Sequence, residues 1–135
     1  MHEYLRNYLV AFPVLVPIDF LWFGVLMKGM YLQELSSLAR MQEGKFKPLP
    51  LPGLLAWAVI PLGIVFFAMP HLTPDSSALA ALRWGALLGL CMYAMYDMTN
   101  LSTLRGYTAR LAVIDMAWGT ALSAFVTLLV WLVAM

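Results

Sequence analysis

Leu111 to Met135 reads LAVIDMAWGTALSAFVTLLVWLVAM, a run in which Asp115 is the sole charged side chain. A helix needs roughly 20 mostly apolar residues to cross a bilayer, and this run supplies them. Three more stretches pass the same test: Tyr8 to Met27, Gly53 to Leu72 and Leu82 to Leu101. One such run fits a buried soluble core, but four with little polar sequence between them do not. Hydrocarbon leaves open strand edges unsatisfied, so the spans are expected to be helices. Composition agrees: 63% of the 135 residues are hydrophobic and 11% charged, against about 25% charged in soluble domains. The expected fold is an all-α membrane protein, a single domain over residues 1–135 with four transmembrane helices.

The first span is too long for a signal-peptide core, carries Asp19 and has no small-x-small cleavage site behind it. Cys91 is the single cysteine, which excludes an internal disulfide and a thiolate cluster. A net charge of +1 gives no electrostatic footprint for nucleic acid.

Between the first two spans, Met30 to Met41 places Tyr31, Leu35 and Leu38 on one helical face, which predicts a short amphipathic helix at the headgroups. Gly44, Pro48, Pro50 and Pro52 then predict extended chain leading into the second span. Thr73-Pro74-Asp75-Ser76 supplies a turn and a cap for the third. Lys28, Arg40, Lys45, Lys47, Arg105 and Arg110 fall on one side of the four spans, and Arg6 and Arg83 on the other. The richer side is expected to be cytoplasmic, leaving both termini non-cytoplasmic.

Three spans each contain an aspartate: Asp19, Asp97 and Asp115. Insertion scales charge roughly 2.5–3.5 kcal/mol for one at the centre of a span. Counted from Lys28, Arg105 and Arg110, the three lie roughly 13, 12 and 8 Å inside the membrane by helical rise, all in the same half. The third and fourth spans share a short loop, so Asp97 and Asp115 are expected to face one another. No lysine or arginine lies deep enough to pair with them, and an uncompensated carboxyl in low dielectric favours its neutral form. Such a group either binds a proton, cation or polar ligand, or simply donates to a neighbouring helix and holds the bundle together.

Asp19 and Trp22 in the first span, and Asp115 and Trp118 in the fourth, are each three residues apart on one helix face, with a glycine just beyond. Those spans run in opposite directions, as an inverted repeat would. An indole N–H can donate to a carboxylate one turn away or on a partner helix. Gly85, Gly89, Tyr93 and Asp97 step along the third span at intervals of four, the spacing at which glycines let helices approach closely. Pro13, Pro17 and Pro61 are expected to bend their spans and free carbonyls. His2 and His71 lie at the opposite edge from the acids, and the methionines read as packing, so no metal site is expected. The candidate site is Asp19, Trp22, Tyr93, Asp97, Asn100, Asp115 and Trp118.

The stretch Tyr96-Asp97-Met98-Thr99-Asn100-Leu101-Ser102-Thr103-Leu104, followed by Asp115-Met116-Ala117-Trp118-Gly119, resembles a family of small bacterial integral membrane proteins of unknown function. Its members carry Tyr-Asp-x-Thr-Asn-Leu-x-Thr-Leu and then Asp-x-x-Trp-Gly. The resemblance covers the whole chain and implies a four-span fold in the bacterial inner membrane, with no activity attached. In size and in its first-span acid the chain is also similar to small multidrug exporters, although those use a glutamate and have no counterpart of Asp97 and Asp115.

Two functions follow as expectations. One is binding or transport of a proton, cation or small amphiphile at the three acids. The other is a membrane enzyme acting on a lipid or isoprenoid, with Asp97 and Asp115 holding a divalent metal or serving as acid and base, and Arg105 and Arg110 near a headgroup phosphate. A structural or accessory role is third. No resident cofactor is expected; the expected partners are membrane lipid, a small cation or amphiphile, and optionally a second copy of the chain.

Overall fold

The computed structural model describes residues 1–134; Met135, the expected end of the fourth span, lies outside them. Four helices are long and apolar enough to cross a membrane: His2–Leu26, Pro50–His71, Ala78–Thr103 and Ala109–Ala134. Leucine, valine and phenylalanine side chains cover their outer faces, among them Leu9, Val25, Leu55, Phe67 and Val133. An apolar exterior of this kind is a surface for lipid.

The first span is helix α1, His2–Leu21, prolonged by a wider turn over Trp22–Leu26. The second is α3, Pro50–Gly63, prolonged by a wide turn over Ile64–Ala68 and a tight one over Met69–His71. Pro13, Pro17 and Pro61 stay inside these helices, and the wide turns begin a few residues after Pro17 and Pro61. Proline removes one ladder hydrogen bond, and i→i+5 turns often sit at functional sites. The third and fourth spans are α4, Ala78–Thr103, and α5, Ala109–Ala134. Ser77 caps α4, its hydroxyl accepting from the Ala80 N–H at 3.1 Å.

Helices α4 and α5 form the tightest pair. Gly85 lies against the Ser123 carbonyl and Thr127, and Gly89 against the Gly119 carbonyl and Ser123. A Cβ on Gly85 would stand 2.6 Å from the Thr127 hydroxyl. The spacing by four therefore puts bare backbone where the neighbouring helix passes closest. The main core gathers Leu15 of α1, Ile64 of the second span and Leu122, Val126 and Val130 of α5.

The connection between the first two spans departs from expectation twice. The amphipathic helix, α2, is Lys28–Glu34, shorter and earlier than Met30 to Met41. It stops where Ser36 and Ser37 begin, residues that favour turns over helix interiors. Tyr31 is buried beneath it, away from the headgroups. The chain that follows is a small hairpin instead of extended coil: β1 (Met41–Gln42) pairs antiparallel with β2 (Lys45–Phe46). Its two turn residues, Glu43 and Gly44, have φ of 51° and 74°, the left-handed pair that a two-residue hairpin turn requires.

Contacts at the ends show which connections lie together. The Arg6 guanidinium donates to the Ala134 carbonyl at 3.4 Å and the Trp131 indole to the Thr73 carbonyl at 3.0 Å. That end thus holds the chain termini and the α3–α4 turn. At the other end Thr108 donates its hydroxyl to Glu34, and Arg110 pairs with the same carboxylate at 3.3 Å. The first loop is thereby clasped to the α4–α5 turn.

Candidate functional site

All three aspartates point into the bundle: Asp97 is 0% exposed, Asp19 3% and Asp115 5%. Burial at this level demands partners for every carboxyl oxygen, and aromatic side chains donate to four of the six.

Asp19, on α1, is held on both sides. The Trp57 indole N–H of α3 donates to its Oδ2 at 2.8 Å, and the Trp118 indole N–H of α5 donates to its Oδ1 at 2.8 Å. Trp118 in turn stacks flat on Trp22, with ring centroids 4.1 Å apart and planes 3° from parallel. Trp22 gives its N–H to the Tyr31 hydroxyl at 3.2 Å, not to an acid. Tyr31 passes its own proton donation on to Asp115 Oδ1 at 2.6 Å. On α4, Asp97 Oδ1 accepts from the Tyr107 hydroxyl at 2.5 Å. Burial pushes the pKa of both the Tyr31 and the Tyr107 phenol up, and the hydrogen bond each makes to its carboxyl adds to the effect. Both phenols therefore remain protonated donors.

The carboxyls of Asp97 and Asp115 are direct neighbours across the α4–α5 interface. Asp97 Oδ2 is buried with no donor among the described residues. Tyr93 packs its ring over Gly119 and lies within electrostatic range of all three acids. Asn100 stands one helical turn beyond, beside the Tyr96 hydroxyl, and is not bonded to an acid. The structure thus brings Asp19, Trp22, Tyr93, Asp97, Asp115 and Trp118 into one buried cluster and leaves Asn100 at its edge.

The echo between the first and fourth spans does not produce a two-fold site. Asp19 takes two indoles, whereas Asp115 takes a phenol from the first loop. Trp57, Tyr31 and Tyr107 are partners that sequence reasoning missed. For Trp57 a signal existed, because an indole N–H in mid-span needs an acceptor. The spacing puts Tyr31 on the apolar face of the amphipathic helix with Leu35 and Leu38, and no pattern marks Tyr107.

A partly open cavity of about 150 Å³ lies on the first-loop side of the cluster, walled by Phe23, Lys28, Tyr31, Phe46, Tyr96 and Tyr107 with three leucines. The two phenols that hold Asp115 and Asp97 turn their rings toward it. A larger cavity, about 320 Å³, opens at the opposite end around Glu3, Arg6, Asn7, Met69 and Leu72.

The chain belongs to the family described as Predicted membrane protein (DUF2177), whose model matches residues 4–132. No curated protein and no solved structure matches it.

Proposed function

We propose that this membrane protein uses Asp97 and Asp115 as a proton-binding pair, supported by Asp19, and that their protonation is coupled to binding or moving a small cation or amphiphile. The observation that carries the reading is Asp97 Oδ2, fully buried, without a donor among the described residues and beside a second carboxyl. Two neighbouring carboxyls in low dielectric do not both ionise; one proton between them satisfies the orphan oxygen and removes a charge. No lysine or arginine reaches the cluster to do this instead: Arg110 is drawn away to Glu34, and Lys28 is exposed. Both oxygens of Asp19 are already occupied by indoles, which suits a fixed support better than an exchanging ligand.

The geometry favours the enzyme reading less. Of the two arginines it sets near a phosphate, Arg105 and Arg110, the second pairs with Glu34, and each acid offered to a metal is engaged by an aromatic donor. Orientation follows the charge bias: the first-loop side, which includes the acid cluster, faces the cytoplasm of a bacterial inner membrane.

Infrared titration of the purified protein tests the proposal. A carbonyl-stretch band of a protonated carboxyl should appear and vanish reversibly with pH, and Asp97→Asn or Asp115→Asn should abolish it. Native protein in which no buried carboxyl titrates before the bundle unfolds would leave the aspartates as packing groups alone.

A further inference from the structure

We infer that the 150 Å³ cavity seats part of one acyl chain of an anionic glycerophospholipid, whose phosphate lies against Lys28 and the basic hairpin beside it. The inference does not depend on whether the acids titrate, because it concerns the opposite faces of the phenol rings that hold them.

Size comes first. Drug-sized ligands occupy sites of roughly 300 Å³ and upward, and water takes about 30 Å³ per molecule in the liquid. A space of about 150 Å³ therefore holds a short apolar segment and little else. Apart from Lys28 its walls are apolar: the faces of Phe23, Phe46, Tyr96 and Tyr107 together with Leu32, Leu35 and Leu111. The hydroxyl protons of Tyr31 and Tyr107 are already given to Asp115 and Asp97, so neither phenol has a donor left for a polar guest. Water in such a space would find few partners.

The mouth is basic. Lys28 belongs to the wall itself, Lys45 and Lys47 flank Phe46 in the hairpin, and Arg40 ends the turn before it. All four are exposed. Clusters of basic residues at a membrane surface attract anionic headgroups. Tyr96, half exposed on α4, places one wall at the lipid boundary, so a chain already in the leaflet has a lateral entrance. An apolar slot with a cationic rim at the interface fits a lipid of opposite charge whose headgroup stays outside.

Native mass spectrometry of the detergent-purified protein supplies the test. The probes are dioleoyl phosphatidylglycerol, dioleoyl phosphatidylcholine, glycerol phosphate and dodecyltrimethylammonium. Phosphatidylglycerol should bind at least fivefold more tightly than phosphatidylcholine. Lys28→Gln should remove about fivefold of that binding, the contribution of one basic residue near an anionic surface, and leave phosphatidylcholine unchanged. Leu32→Phe, which fills the cavity, should weaken both lipids. Phe46→Ser, on an exposed residue whose loss opens the roof, should do the same if the filled variant unfolds. Equal binding of the two phospholipids overturns the inference, as does glycerol phosphate binding as well as the intact lipid. Preference for dodecyltrimethylammonium overturns it in favour of a cation site, and lipid binding indifferent to both cavity variants shows that the chain lies elsewhere.

Discussion

At the scale of single residues, the site is built from aromatic donors around acids. Tyr31→Phe should leave Asp115 Oδ1 buried without its phenol donor, a loss of about 1–3 kcal/mol, measured as a lower thermal midpoint in detergent. Tyr107→Phe should behave alike at Asp97. Trp57→Phe removes one of two donors to Asp19 and should cost less than Trp118→Phe, which also loses the stack with Trp22. Equal losses in the two tryptophan variants would show that the stack contributes nothing. The common depth of Asp19, Asp97 and Asp115 was legible from sequence because helical rise is regular and basic residues mark the membrane edge. Their partners were not. Tyr31 and Tyr107 reach the acids through the path of two loops, and no periodicity encodes a loop's path.

At the scale of elements, the glycines of α4 set how close α5 can come. Gly89→Val should force the helices apart and destabilise by about 1–3 kcal/mol or more, whereas Gly53→Ala, whose added methyl meets nothing within 4 Å, should be neutral or stabilise by up to about 1 kcal/mol. Thermal unfolding of both variants checks this, and comparable losses would mean that the α4–α5 approach is not tight. Spacing by four made this interface readable in advance. The hairpin was not, because three prolines after Gly44 pointed to extended chain while Glu43 and Gly44 needed only two left-handed residues to reverse it. The amphipathic helix was readable in kind but not in extent, since Glu34 is drawn to Thr108 and Arg110 on a distant part of the chain.

At the scale of the whole molecule, sidedness is the property most open to test. In a Cys91→Ser background, Ser36→Cys should react only with reagent on the cytoplasmic side and Asp75→Cys only with reagent on the other. Reaction of Ser36→Cys from outside would reverse the orientation and put the acids in the outer half of the membrane. The stacked pair of indoles, Trp22 on Trp118, has a separate consequence. Parallel rings 4.1 Å apart couple their electronic transitions and give a paired signal in near-ultraviolet circular dichroism. One ring belongs to the first span near the loop that carries Tyr31, and the other is bonded to Asp19. Any movement that parts the first loop from α5 would extinguish that signal, so the protein carries an optical gauge of its own closure that needs no label.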